Sequence, residues 1–179
     1  NVVISEVDLA NDKIELINTG GSSVDMSAWW LCNRVNGSPF YSLMSSATID
    51  LANSTAMSLV LAPGELLTLD LSSTLLPDAN GDMGIYNTNS LGSASAIEDY
   101  VLWGANGIRD SVAEAAGIWT DNESIDVSGA GVGDTIQLLP GQPGNQASDY
   151  AIGTNSIGSP NGPVSAVQGS WSQIKSQFK

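Results

Sequence analysis

The chain has 179 residues, 42% of them hydrophobic, enough for one domain with a sizeable core and too apolar for wholesale disorder. Nineteen acids against five bases give a net charge of −14, which repels a phosphate backbone and argues against nucleic acid as a partner. No apolar run approaches the ~18–20 residues of a membrane span. Histidine is absent, which removes Ser-His-Asp and Cys-His catalysis, histidine-bound zinc and imidazole pH switching together.

In chain order, "VVISEVD" (2–8) alternates as a half-buried strand, and "KIELIN" (13–18) follows a short polar turn. Because the chain reads as a strand from residue 2, without a charged segment leading into an apolar one, a mature form, or a chain trimmed to one, is expected. "AWWLCN" (28–33) is the next strand and holds the single cysteine, Cys32, which permits no internal disulfide and reads as a small buried hydrophobe. Neighbouring strand residues face opposite sides, so only one of Trp29 and Trp30 is expected in the core. "MSLVL" (57–61) and "LLTLDL" (66–71) flank Pro63-Gly64, the central pair of a type II turn.

"LPDANGDMGIY" (76–86) puts Asp78, Asn80 and Asp82 on alternate positions, a spacing of oxygen ligands suited to calcium. Counted from Asp78, however, position 6 is Met83 and position 12 is Asn89, so the helix–loop–helix calcium pattern fails. These three residues remain candidates for a looser calcium site. The plainer reading is a hairpin turn in which Asn80-Gly81 supplies positive φ. As a surface loop it should tolerate alanine at Asp78 or Asp82 within ~0.5 kcal/mol.

"MGIYN" (83–87), "DYVLW" (99–103) and "TIQLL" (135–139) continue the strand series. Only "DSVAEAAG" (110–117) reads as a helix, with Asp110 or Ser111 as cap and Gly117 as stop. Arg34 and Arg109 are expected to pair with neighbouring acids at the surface. From Gly129 the chain turns rich in Gly, Pro, Asn and Ser around one strand. Many short strands with regular turns and one short helix predict an all-β sandwich over residues 1–162.

The tail, 163–179, differs. Trp171, Ile174 and Phe178 recur at helical spacing, and Lys175 and Lys179 follow the last acid, Asp149. Residues 1–149 thus hold three bases against nineteen acids, and residues 150–179 hold two lysines and no acid. Trp171, Ile174, Lys175 and Phe178 are candidate partner-binding residues, folding back on their own sandwich or docking on a neighbouring copy.

Some residues carry a family pattern. Ser5-Glu6-Val7, Ile14-Glu15-Leu16-Ile17-Asn18 and Val24-Asp25-Met26-Ser27-Ala28-Trp29-Trp30-Leu31 together resemble the opening of the lamin tail domain of secreted bacterial proteins. "LAPGELLTL" and "GSPNG" are similar to its Pro-Gly-Glu turn and its closing segment. Lys13 stands where an aromatic is usual, and Ala28 where glycine is usual. The resemblance spans roughly residues 2–162 and implies an immunoglobulin-like β-sandwich, accompanying secreted nucleases, adhesins and surface proteins as a non-catalytic part. No heptad rod is present to suggest a lamina role.

Other chemistry is thin. "SQIK" (172–175) matches Ser-x-x-Lys by chance, with no later Lys-Thr-Gly. Carboxylate pairs for glycoside hydrolysis are available in any chain this acidic. The acidity, with only 13% charged residues, suits an extracellular protein in saline or calcium-bearing water. The expectation is a secreted, non-enzymatic structural or adhesive module, without cofactor unless calcium binds. It would act through protein contacts, including contacts with its own copies in fibres or a surface layer. The alternative is an accessory module that binds calcium or carbohydrate.

Overall fold

A computed structural model describes residues 1–35, 38–72, 76–77, 79–105 and 107–162. Among them the strands are β1 (Val2–Asp8), β2 (Lys13–Asn18), β3 (Val24–Asp25), β4 (Trp30–Val35), β5 (Ser38–Leu43), β6 (Thr48–Ile49), β7 (Val60–Leu61), β8 (Leu66–Asp70), β9 (Gly81–Tyr86), β10 (Ile97–Trp103), β11 (Asp134–Leu138) and β12 (Tyr150–Thr154). Among the described residues the single α-helix, α1, is Asp110–Ala116. The strands form a six-stranded sheet in the order β12-β11-β1-β2-β8-β6 and a four-stranded sheet, β10-β9-β4-β5. A two-residue ladder joins β3 to β7. All of these pairs are antiparallel, as short hairpin-linked strands allow. The protein is an all-β sandwich with one short helix.

Alternation and register place Ile4, Val7, Ile14, Leu16, Leu67, Leu69 and Ile136 on the inner face of the larger sheet. Leu31, Met83, Ile85, Val101 and Trp103 face them from the smaller one, and all are buried. A bulge at Ser5 shifts the β1–β2 register between Ile4 and Glu6. It coincides with the point where β11, which pairs with β1 only at Glu6 and Val7, has left the strand. Ile4 therefore finds its backbone partners in side chains, one from the facing sheet and one from β12 of its own sheet. Its N–H donates to Asp99 Oδ2 of β10 at 2.6 Å, and its carbonyl accepts from Tyr150 Oη at 3.3 Å.

The Pro63-Gly64 turn forms as expected, with Gly64 at φ 78° and the Glu65 N–H donating to Ala62 O at 3.1 Å. Other expectations are corrected. Four strands went unread: the two-residue β3 and β6, and the edge strands β5 and β12. β5 is exposed almost throughout and β12 is half-buried or exposed after the buried Tyr150, so neither shows the burial alternation that marks a strand. Neither Asn80 nor Gly81 has positive φ. Gly81 instead opens β9 beside Trp103, where an added Cβ would lie 2.8 Å from the indole. Helix α1 starts from Arg109 with no side-chain cap; Asp110 is its first residue, and Gly117 ends it in the left-handed conformation.

Trp29 is 9% exposed and belongs to the core, while Trp30 is half-buried against it. Chemical denaturation should find Trp29→Ala costing about 3–5 kcal/mol as a lost buried aromatic, and Trp30→Ala distinctly less. Equal losses in a chain proven monomeric by scattering would contradict this division.

Candidate protein-contact site

Most polar side chains with unusual environments are occupied in holding the fold. Glu6 and Glu15 stand opposite each other on the outer face of β1 and β2, both fully buried. Like charges so placed are costly unless donors surround them. Glu6 accepts from Thr135 Oγ1 (2.6 Å), Ser156 N (2.8 Å) and Ser156 Oγ (2.6 Å). Glu15 accepts from Ser5 Oγ and from Gly158 N, both at 2.7 Å. Burial nevertheless raises the Glu15 carboxyl to about 7, with these two donors opposing the shift and Glu6 adding to it. Ser156 and Gly158 belong to the segment after β12, which closes over the sheet, and Thr135 and Ser5 to β11 and β1; Asn161 Nδ2 fastens the segment's end to Ser5 O and Leu138 O. Ser5, Glu6, Glu15 and Gly158, which lie in segments carrying the family resemblance, therefore meet at one place.

Of the three candidate calcium ligands, Asp78 lies outside the described residues and Asn80 is exposed. Asp82 is fully buried rather than part of a surface loop. Its Oδ2 accepts from Tyr100 Oη (2.8 Å), Ile108 N (2.6 Å) and Arg109 N (3.1 Å), tying β9 to the segment that enters α1. Burial raises the Asp82 carboxyl above its ordinary value, against those three donors. Among the described residues no group of three or more Cys, Asp or Glu is arranged to hold a metal ion. Sequence reasoning missed this role because alternation puts Asp82 on the sheet face that α1 covers, a placement fixed only by tertiary packing.

Among the described residues, Arg109 turns to a tyrosine rather than to the neighbouring Asp110, and Arg34 reaches a backbone carbonyl. Arg34 Nη1 donates to Ala105 O at 3.2 Å. Arg109 Nη2 donates to Tyr41 Oη at 2.6 Å, and its guanidinium lies 5.5 Å from the Tyr41 ring centroid. Lys13 pairs with Asp50 at 2.7 Å. Cys32 is buried as expected, and burial pushes its thiol up to about 11, away from the reactive thiolate.

Two surfaces bear on contact with a partner. The first is β5, which pairs with β4 on one side and ends the smaller sheet on the other. Phe40, Tyr41 and Leu43 are exposed along it, beside the half-buried Trp30 opposite Leu43. The second is a groove of about 690 Å³ beside the start of β1 and the end of β2. Val3, Ile17, Leu66 and Leu138 supply apolar lining, with Glu15, Glu98 and Asp99 among them. Burial raises the Asp99 carboxyl to about 8, opposed by the Ile4 and Tyr100 N–H groups. The candidate partner-binding residues Trp171, Ile174, Lys175 and Phe178 lie outside the described residues.

A carboxyl raised by folding binds its proton more tightly in the native state, so its stabilising contribution is fully present below the unfolded value and lost as pH rises through the folded one. For Glu15 that window runs from about 4.5 to about 7. Thermal melts between pH 5 and 8 should therefore show Glu15→Gln losing less stability with rising pH than the native chain, by roughly 1–3 kcal/mol. An unchanged slope would remove Glu15 as the source. Asp82→Ala should cost about 2–4 kcal/mol by urea denaturation, equally with and without calcium, because three donors lose their acceptor. A cost confined to calcium-containing buffer would make this a metal site instead.

No family model, curated protein or solved structure matches the chain.

Proposed function

We propose that the chain is a non-catalytic, extracellular β-sandwich module that works by protein–protein contact, with β5 as the contact strand and a second copy of the chain as its partner. The observation that carries this reading is the edge of β5, unpaired among the described residues, together with its exposed Phe40, Tyr41 and Leu43. An unpaired edge offers backbone donors and acceptors to another strand, and natural sheets usually blunt such edges with charge. Between Ser38 and Leu43 there is none. Pro39 lies among them, a residue that edge strands tolerate.

A non-catalytic role is supported by the disposition of the chemistry. Glu6, Glu15, Asp82 and Asp99 direct carboxylate oxygens to backbone donors, and Cys32 is kept a thiol. The resemblance and the acidic composition support an extracellular setting. Contact between an edge on one copy and a different surface on the next is heterologous, and such contacts build open filaments when the rotation does not close.

Light scattering across about 1 μM to 1 mM, in calcium-containing saline, tests the reading. The native chain should gain mass with concentration, and the Phe40→Lys, Leu43→Lys double variant should stay monomeric with its melting temperature within a few degrees. A native chain that is monomeric throughout would end the self-association proposal.

A further inference from the structure

We propose that the groove beside the start of β1 is the docking site for the chain's own residues 163–179, with Trp171, Ile174 and Phe178 as its apolar occupants. The inference is independent of the contact role given to β5. Three observations carry it.

The first is where the described chain ends. Pro160 and Asn161 line the groove, and Asn161 is pinned there by its bonds to Ser5 O and Leu138 O. The segment after Gly162 therefore starts at the groove's own rim. Nine residue steps separate Gly162 from Trp171. An extended chain of that length reaches roughly 30 Å, ample to lie along or double back over the groove. Attachment at the rim also gives the segment a high effective concentration there, which a separate molecule lacks.

The second is fit. The groove's volume of about 690 Å³ falls in the range of roughly 300–1,000 Å³ that binding pockets occupy. Its lining combines Ile17, Leu66, Ile118 and Leu138 with proline-bearing backbone from Pro140 to Pro143. Large apolar side chains gain by leaving water for such a lining.

The third is charge. Among the described residues no lysine or arginine lines the groove, and of its three acids Glu98 alone is half-buried, Glu15 and Asp99 being buried with their carboxyls raised to about 7 and about 8. Residues 163–179 carry Lys175 and Lys179 and no acid. Half-buried Glu98 is the carboxylate placed to meet an incoming ammonium, although its Oε1 also accepts from Asn87 Nδ2.

Trypsin tests this on the full chain, because docking should shield the bond after Lys175. Release of residues 176–179 is followed by mass spectrometry at several protein concentrations. The native chain should be cut at least tenfold more slowly than Trp171→Asp, a tail change that leaves the sandwich untouched, and at a rate independent of dilution. Leu139→Lys, on the groove wall, should lose the same protection. Equal rates in the native chain and Trp171→Asp would overturn the proposal. Protection that fades on dilution would assign the groove to a neighbouring copy and overturn it too. Protection kept in a folded Leu139→Lys chain would put the segment elsewhere. Should that variant not fold, a nitroxide on Gln142→Cys decides, since the buried Cys32 resists labelling: it should broaden the Trp171 indole resonance, and an unbroadened signal would refute the site.

Discussion

The fold depends on a pair of carboxylates that ought to repel. Glu6 and Glu15 face each other across β1 and β2 with water excluded. Two unpaired buried charges at that spacing would cost more than a small sandwich has to spare. The conflict is resolved by donors on three sides: Ser156 and Gly158, far along the chain, offer backbone N–H groups and the Ser156 hydroxyl, while Thr135 of β11 and Ser5 of β1 add hydroxyls. Each carboxylate in turn satisfies backbone that would otherwise be buried and unpaired where the closing segment crosses the sheet. The first strands and the last described segment are therefore mutually required.

The same device recurs between the sheets and beside the helix. Where β11 leaves β1, Asp99 and Tyr150 supply the partners that a strand would have given Ile4. Asp82 gathers the N–H groups of Ile108 and Arg109 as the chain turns into α1. Acidic side chains do inside this protein what strands and caps do in more regular ones. Burial raises the carboxyls of Glu15, Asp82 and Asp99, so their protonation is coupled to the integrity of the fold rather than to a reaction.

Once the interior polar groups are so engaged, interaction falls to the surface. The edge of β5 and the groove beside β1 present apolar area in different ways. An edge strand offers backbone pairing to another chain, whereas a concave site selects side chains that fill it. A body bearing nearly all the negative charge and a terminal segment bearing only positive charge complement each other.

The sequence by itself determined the strand-rich class, the positions of β1, β2 and β8, the Pro63-Gly64 turn, the helix stop at Gly117 and the burial of Cys32. Those features are local: period-two alternation, a turn pair needing positive φ, an apolar run. The absence of histidine likewise narrowed the chemistry without any structure. Only tertiary packing decided the rest. Asp82 sits in an acidic, glycine-bearing stretch that reads as a solvated loop, yet α1 packs over it and makes it a buried acceptor. Edge strands β5 and β12 lack alternation because neither buries one whole face: β5 is open on both, and β12 is buried only at Tyr150. Glu6 and Ser156 lie 150 residues apart, and no local pattern records that they touch. Contacts of that separation are fixed by how the sheets stack, which is a property of the whole chain.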